Sequence, residues 1–250
     1  MEKKIAHTAS NSSLQGKKVV VLGGSSGIGL EVSRAALAQG AEVVIVSSNQ
    51  QRIEQAAAEL GGNTTGSAVN LTDESAIEAY FKQFGAFDHL VYTAADSLRL
   101  NELAATDLKD ARHALELRFW SAVAAVKYAS PNIRPGGSIT LTTGIAGQRP
   151  HKGWVIVSSI AAMIEGLTRA LAVELAPLRV NCVSPGVVRT NLWQNIPETE
   201  RQAMFDAMGK KLLVGRIGEA PEIAQTYLYL MQQGFSTGQI VIVDGGTSLV

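Results

Sequence analysis

From Lys17 onward the chain alternates short unbroken apolar runs with longer stretches where apolar residues recur every three or four positions. An unbroken run of four to eight apolar residues marks a strand buried on both faces. The three-to-four recurrence marks a helix lying on the sheet. "KVVVL" (Lys18 to Leu22) predicts a first strand ending in glycines, and "GLEVSRAALAQG" a helix stopped at Gly40. "AEVVIVS" (Ala41 to Ser47) is the second strand and Gln50 to Leu60 the second helix. "GSAVN" (Gly66 to Asn70) is a short third strand, and "LTDESAIEAYFKQFG" a helix capped by Thr72 or Asp73. "HLVYTAA" holds the fourth strand, and Asp107 to Ser130 contain one long helix. "GSITLTT" (Gly137 to Thr143) is the fifth strand, and Gly153 to Leu175 a second long helix. "RVNCVS" and "QIVIVDGG" supply strands six and seven.

Apolar strands joined by amphipathic helices predict a parallel sheet covered on both faces, and right-handed crossovers make it doubly wound. The expected class is α/β: a single-domain, Rossmann-like sheet of about seven strands, spanning residues 14–250. Residues 1–13 ("MEKKIAHTASNSS") have no apolar core or cleavage signature, and read as a flexible polar tail rather than a signal peptide. Asn191 to Gly218, long and mixed in character, is expected to form a lid over the open end of the sheet.

Composition narrows the function classes. Lys plus Arg equals Asp plus Glu at 22 each, and no basic stripe stands out, which argues against a nucleic-acid partner. No stretch reads as long and apolar enough to span a membrane. The single cysteine, Cys182, rules out an internal disulfide and suits a reducing, cytoplasmic setting. Flanked by apolar residues in a strand, it reads as a buried thiol. No spacing suggests a metal site.

The densest chemical signal is "VLGGSSGIGLEV", which sets Gly23, Gly27 and Gly29 between the first strand and first helix. Glycines let the backbone turn sharply and approach a pyrophosphate, and the helix N-terminus offers free N–H groups and a partial positive charge. A tight turn without a ligand is the alternative. The spacing is G-x-x-x-G-x-G, and here the chain resembles the short-chain dehydrogenase/reductase family from Leu14 to its C-terminus. "GGSSGIG" is similar to that family's cofactor loop, "RVNCVSPGVVRT" to the segment at its sixth strand, and "GRIGEAPEIAQTYLYLM" and "GQIVIVDGG" to its C-terminal pattern.

The resemblance implies a dinucleotide site formed by Gly23, Ser25, Ser26, Gly27, Ile28 and Gly29, with Ser47, Ser48 and Asn49 at the second strand's end. Asn70 and Leu71 would flank adenine, Ala94 and Ala95 would lie against the cofactor, and Pro185, Gly186, Val188 and Thr190 would flank the nicotinamide end. An acid at the end of the second strand would hold the ribose hydroxyls of NAD and repel a 2′-phosphate. Ser47 stands there, which favours NADP and leaves NAD possible. The usual basic residues are missing, with Ser48 and Ser26 in their places. Arg52 could reach the phosphate or be a solvated helix residue.

The family's proton chemistry uses a Tyr, a Lys four residues later on the same helix face, a Ser after the fifth strand and an Asn in the preceding long helix. Anchored on "EGLTRALAVEL", those positions fall on Val157, Ala161, Gly144 and Arg118. No Tyr lies between Tyr128 and Tyr227, so no register restores the pair. Thr143 would point to the opposite face of an extended strand. The remaining candidates are His151 as an acid/base or an exposed loop residue, Arg118 as an anion clamp or packing residue, and Tyr92 as a cleft hydroxyl or core aromatic. Asp96 could also reach the cleft. Lys152 and Arg149 read as solvated charges, and Trp154 as packing at the helix start. His7 sits in the tail, His89 at the wrong end of the sheet, and His113 on a helix without a second ligand.

Three readings follow: an atypical NADP-dependent oxidoreductase, a catalytically silent nucleotide-binding or partner subunit, and a non-redox isomerase or cyclase in a repurposed pocket. The resemblance also implies a homodimer or homotetramer through the helices matching Asp107 to Ser130 and Val155 to Ala176. "VIVSSIAAMIEGL" is apolar around more of its circumference than one core stripe requires.

Overall fold

The computed structural model describes residues 14–250; residues 1–13, the expected tail with His7, lie outside the described residues. Seven strands form one parallel sheet: β1 (Lys18–Leu22), β2 (Glu42–Ser47), β3 (Thr64–Ala68), β4 (Phe87–Tyr92), β5 (Ile133–Thr142), β6 (Arg179–Pro185) and β9 (Ile240–Val243). Their spatial order is β3-β2-β1-β4-β5-β6-β9. The chain moves outward from β1 in one direction, then restarts at β4 on the other side. The crevice between β1 and β4 is therefore the topological switch point where such sheets bind ligands.

The unbroken apolar runs divide by the strand's period of two. In β1, Val20 and Leu22 enter the core beneath α3 (Glu74–Phe84), α5 (Ser121–Ala129) and α6 (Val155–Glu174). Val19 and Val21 enter the core on the other face, beneath α1 (Gly27–Ala38), α2 (Gln50–Leu60) and α8 (Ala220–Gln232). One apolar run thus feeds two cores, which is why alternation is absent from it.

The structure corrects several boundaries. β3 runs Thr64–Ala68, not Gly66 to Asn70. Left-handed turns at Gly61 and Gly62 deliver the chain into the sheet early. At the other end the Asn70 side chain accepts the Thr72 N–H and hydroxyl and ends the strand. Asp73, rather than Thr72, caps α3, accepting the N–H groups of Ser75 and Ala76. The long helix is not uniform: α4 (Leu108–Leu115) and α5 are joined by a π-helical turn, Glu116–Trp120, in which Ser121 Oγ donates to the Glu116 carbonyl. The segment after β6 adds β7 (Val188–Arg189), paired with β8 (Gly218–Glu219), and α7 (Glu198–Gly209). It has its own small core of Val187, Trp193, Phe205 and Ile217.

One expectation about membranes is overturned. α6 is 20 residues long with mean hydropathy 1.5, enough by length and composition to cross a bilayer. Here it packs along β5 and β6, with Ile160, Ala161, Ile164 and Thr168 turned into the fold.

Candidate functional site

A cavity of about 730 Å³ opens at the carboxyl ends of the central strands, over the switch point. Its floor is the glycine loop. Gly23 has φ +89° and passes so close to the chain after β4 that a Cβ would meet Ala94 N at 2.6 Å. Gly29 lies against the same turn: a Cβ there would meet the Gly23 carbonyl at 2.3 Å and Thr93 Oγ1 at 2.4 Å. Gly27, at φ +55°, opens α1. Ser26 makes no side-chain cap, and no acidic residue occupies the first turn. The helix N-terminus therefore keeps its free N–H groups and its positive end for an anion. This cradle fits a dinucleotide pyrophosphate.

Most of the residues assigned to the cofactor line this cavity: Gly23, Ser25 to Gly29, Ser47, Ser48, Asn70, Leu71, Ala94, Ala95, Pro185, Gly186, Val188 and Thr190. Asn49 does not. Its side chain is spent on the α2 N-cap, accepting the Arg52 N–H at 2.9 Å. Arg52 does line the cavity, beside Ser47 and Ser48. Gly186 has a packing reason of its own, since a Cβ would meet the Asp244 backbone at 2.7 Å.

At the other end Gly144, Val157 and Ala161 share the wall with Ile145, Ile160 and Trp154. Gly144 is extended, and a Cβ on it would meet nothing nearer than Pro185 O at 4.0 Å. Thr143 also reaches the cavity, but its hydroxyl donates to the Ala161 carbonyl at 2.8 Å. Among the described residues, Tyr92 is the only tyrosine in the lining, and no lysine lines it. Its hydroxyl donates to the Leu117 carbonyl at 2.6 Å, and burial pushes its pKa well above the ordinary tyrosine value.

Arg118 lines the cavity from the π-helical turn, but not as a free cation. Its Nε donates to Asp96 Oδ1 at 3.1 Å and its Nη2 to the Asp96 carbonyl. Burial pulls its pKa down and the Asp96 carboxylate opposes that. The pair also borders a second cavity of about 40 Å³, between α4, the loop after β4 and the start of α6.

His151 does not line the cavity. Gly153 (φ +84°) reverses the chain before α6, and the exposed imidazole packs edge-on against Trp154 at 4.7 Å. Its neighbour Lys152 pairs with Glu102 at 2.7 Å, and Arg149 donates to the Val250 carbonyl. Tyr92, Arg118 and His151 are therefore not assembled into one constellation. The imidazole that does line the cavity is His113, exposed on α4. His89 is buried at the opposite end of the sheet, 2.9 Å from Ser138 Oγ, and burial lowers its pKa to about 4. Cys182 is fully buried, which raises its thiol pKa. No group of three His, Cys, Asp or Glu side chains suited to a metal occurs among the described residues.

The family profile described as Enoyl-(Acyl carrier protein) reductase matches residues 23–248. A short-chain dehydrogenase/reductase of Stachybotrys chlorohalonatus is 35% identical, across 94% of this chain and 98% of its own. Carbonyl reductase family member 4 of Danio rerio is 31% identical across 92% and 98%. Among solved structures, the MalC reductase/Diels-Alderase of Malbranchea aurantiaca superimposes with a TM-score of 0.87 at 31% identity, covering 95% of this chain and 98% of that one. A small-chain dehydrogenase in complex with NADPH superimposes at 0.83, with 33% identity over 94% and 100%. An α/β fold with its cleft at the switch point defines a doubly wound nucleotide-binding class. Within it, this chain belongs to the short-chain dehydrogenase/reductase family.

Proposed function

We propose that the chain binds NADP(H) in the large cavity and is an atypical oxidoreductase that lacks its family's proton relay. The observation that carries the nucleotide half is the cradle formed by Gly23, Gly27 and Gly29 beneath an uncapped helix N-terminus. Ser47, Ser48 and Arg52 offer hydrogen bonds and one positive charge where a carboxylate would repel a 2′-phosphate. NADPH bound there would supply a hydride. The chain's own residues would seat the pyrophosphate on the glycine turn and hold the nicotinamide end beside a wall that includes Gly144 and Pro185. A relative solved with NADPH supports the choice of nucleotide.

The second half rests on Gly144, Val157, Ala161 and Arg118. These would hold the family's Ser, Tyr, Lys and Asn positions, and the first three carry no group that transfers a proton. General acid catalysis contributes roughly 10²–10⁴-fold, so reduction of simple ketones should fall below detection. Calorimetry with NADPH and NADH, followed by a carbonyl panel monitored by NADPH consumption, tests both halves. Tighter NADH binding or robust ketone turnover would refute them. A non-redox ring closure is a second reading. It is favoured by the apolar wall and by a relative named both reductase and Diels-Alderase.

The solvent side of α6 carries small and apolar residues, among them Val155, Ala162, Met163, Gly166 and Val173, with the exposed Arg169 at its edge. It supports a homodimer or homotetramer. Light scattering that gives a monomer at micromolar concentration would rule this out.

A further inference from the structure

Resting on the NADPH-binding reading, we infer that the cavity selects an electrophile that needs no proton: a bulky, largely apolar iminium ion. The hydroxyls of Tyr92, Thr142 and Thr143 near the reacting end are already committed, which leaves the exposed imidazole of His113 on the rim as the remaining candidate acid. The Tyr92 hydroxyl goes to Leu117 O, the Thr143 hydroxyl to Ala161 O, and the Trp193 indole N–H to Val188 O. Thr142 is shared between the Tyr92 carbonyl and the Tyr227 hydroxyl. Arg118 cannot act as an acid at neutral pH. Ser25, Ser26, Ser47 and Ser48 lie at the nucleotide end.

A ketone that accepts a hydride becomes an alkoxide. Here that anion would form against Val157, Ile160 and Ala161 with no acid among them to neutralise it, and burying an unpaired charge is costly. An iminium carbon inverts the problem. Its carbon gains the hydride of bound NADPH as a new C–H bond, the C=N π pair becomes a lone pair on nitrogen, NADP⁺ is released, and no proton is taken up or lost. A positive charge disappears during the step, so an apolar wall favours the product rather than opposing it. The open space beside Gly144 leaves room for a ring system, and Leu98, Leu100 and Leu192 extend the apolar surface outward. The Asp96–Arg118 pair carries no net charge, and Asp96 Oδ2 is the oxygen left to meet a cation. Arg118 engages only its Oδ1, and the carboxylate lines the cavity.

The probes are N-methyl-3,4-dihydroisoquinolinium, a fixed cation with no proton to lose, and 1-tetralone, a neutral ketone of similar shape. Binding to the full chain loaded with NADP⁺ is measured by calorimetry, and turnover by transfer of deuterium from 4-deuterated NADPH. The cation should bind and acquire deuterium at its former iminium carbon. Its kcat/KM should exceed that of tetralone by at least about a hundredfold, the lower end of what a general acid supplies. Its rate should be flat between pH 6 and 9. Asp96→Asn should weaken binding of the cation about tenfold, the scale of one screened charge pair, and weaken tetralone binding less. Ketone turnover within tenfold of the cation would overturn the inference. So would a neutral-pH titration of ketone turnover that vanishes in His113→Gln, because it would identify a working acid on the rim. Normal NADPH binding with no bound or labelled cation overturns the inference alone. Failure of NADPH itself to bind overturns the nucleotide reading and this inference with it.

Discussion

Replacing Gly29 by Ala perturbs the helix–loop contact on which nucleotide binding depends. The new methyl would meet the Gly23 carbonyl at 2.3 Å and Thr93 Oγ1 at 2.4 Å, about 1 Å inside ordinary van der Waals contact. Neither neighbour yields easily. The first is backbone in a turn with φ +89°, and the second donates to the Leu22 carbonyl at 3.1 Å. α1 must therefore lift from β1. Overpacking of this kind costs roughly 1–3 kcal/mol. Gaining Ala for Gly inside a helix returns about 1 kcal/mol, leaving a net loss of about 0–2 kcal/mol in stability. Binding should suffer more. The first-turn N–H groups would be displaced from the pyrophosphate, and one charge-assisted hydrogen bond is worth about 1.5–3 kcal/mol, a factor of roughly 10–150 in Kd. Calorimetry with NADPH reads the second quantity, and thermal unfolding with and without NADPH reads the first. A variant with unchanged Tm that binds NADPH within twofold of the parent would show that the pyrophosphate does not sit on this turn.

Ser47→Asp places a carboxylate at the end of β2, and should weaken NADPH at least about tenfold relative to NADH through repulsion of the 2′-phosphate; competitive calorimetry measures the ratio. Single restorations such as Val157→Tyr should yield no ketone reduction, because a lone phenol stays near pKa ~10 and donates poorly. Only Gly144→Ser, Val157→Tyr and Ala161→Lys together could rebuild the relay, and turnover by Val157→Tyr alone would refute this. Asp88 is nearly buried, and burial alone would raise its pKa. The Lys18 N–H at 2.9 Å, Lys17 at 3.2 Å and Arg134 at 2.8 Å outweigh that and lower it. A depressed carboxylate pKa contributes stability above the unfolded value, ~4, and loses it as pH falls through the folded value. Asp88→Asn should therefore cost about 2–3 kcal/mol at pH 7 and show less acid destabilisation below pH ~4 than the parent in urea titrations.

The core strands were legible because β1, β2, β4 and β9 each carry four apolar residues and β5 and β6 three each. β3 was placed two residues late because it is an edge strand, TTGSA, with no buried residue to mark its register. The π-helical turn left no trace in the apolar spacing. One extra residue per turn over Glu116–Trp120 hardly disturbs a three-to-four recurrence. The glycine loop was legible because its residues are contiguous and their constraint is local. The Asp96–Arg118 pair joins residues 22 apart, one in an irregular loop, so no periodicity couples them. His151 is near Val157 in sequence, yet the left-handed turn at Gly153 carries it away. His113 is remote in sequence, and only the fold brings it to the rim.

The proposed loss of the proton relay is compatible with an undamaged scaffold at two of its positions, Gly144 and Val157, which bear little of the packing. Gly144 has an extended backbone that any residue adopts, and a Cβ there would enter open space. Val157 faces the cavity from the first turns of α6, whereas the side chains that fix this helix to the sheet, Ile160, Ile164 and Thr168, lie further along. Gly23 and Gly29 are the reverse case: each contacts backbone at less than 3 Å from an imagined Cβ, so the turn admits no larger residue without moving α1. Substitution at Gly144 is thus sterically cheap while substitution in the cradle is not. On the proposed reading, constrained cradle glycines keep the geometry for seating a nucleotide, while apolar residues at the acid positions would change what that nucleotide's neighbour can be.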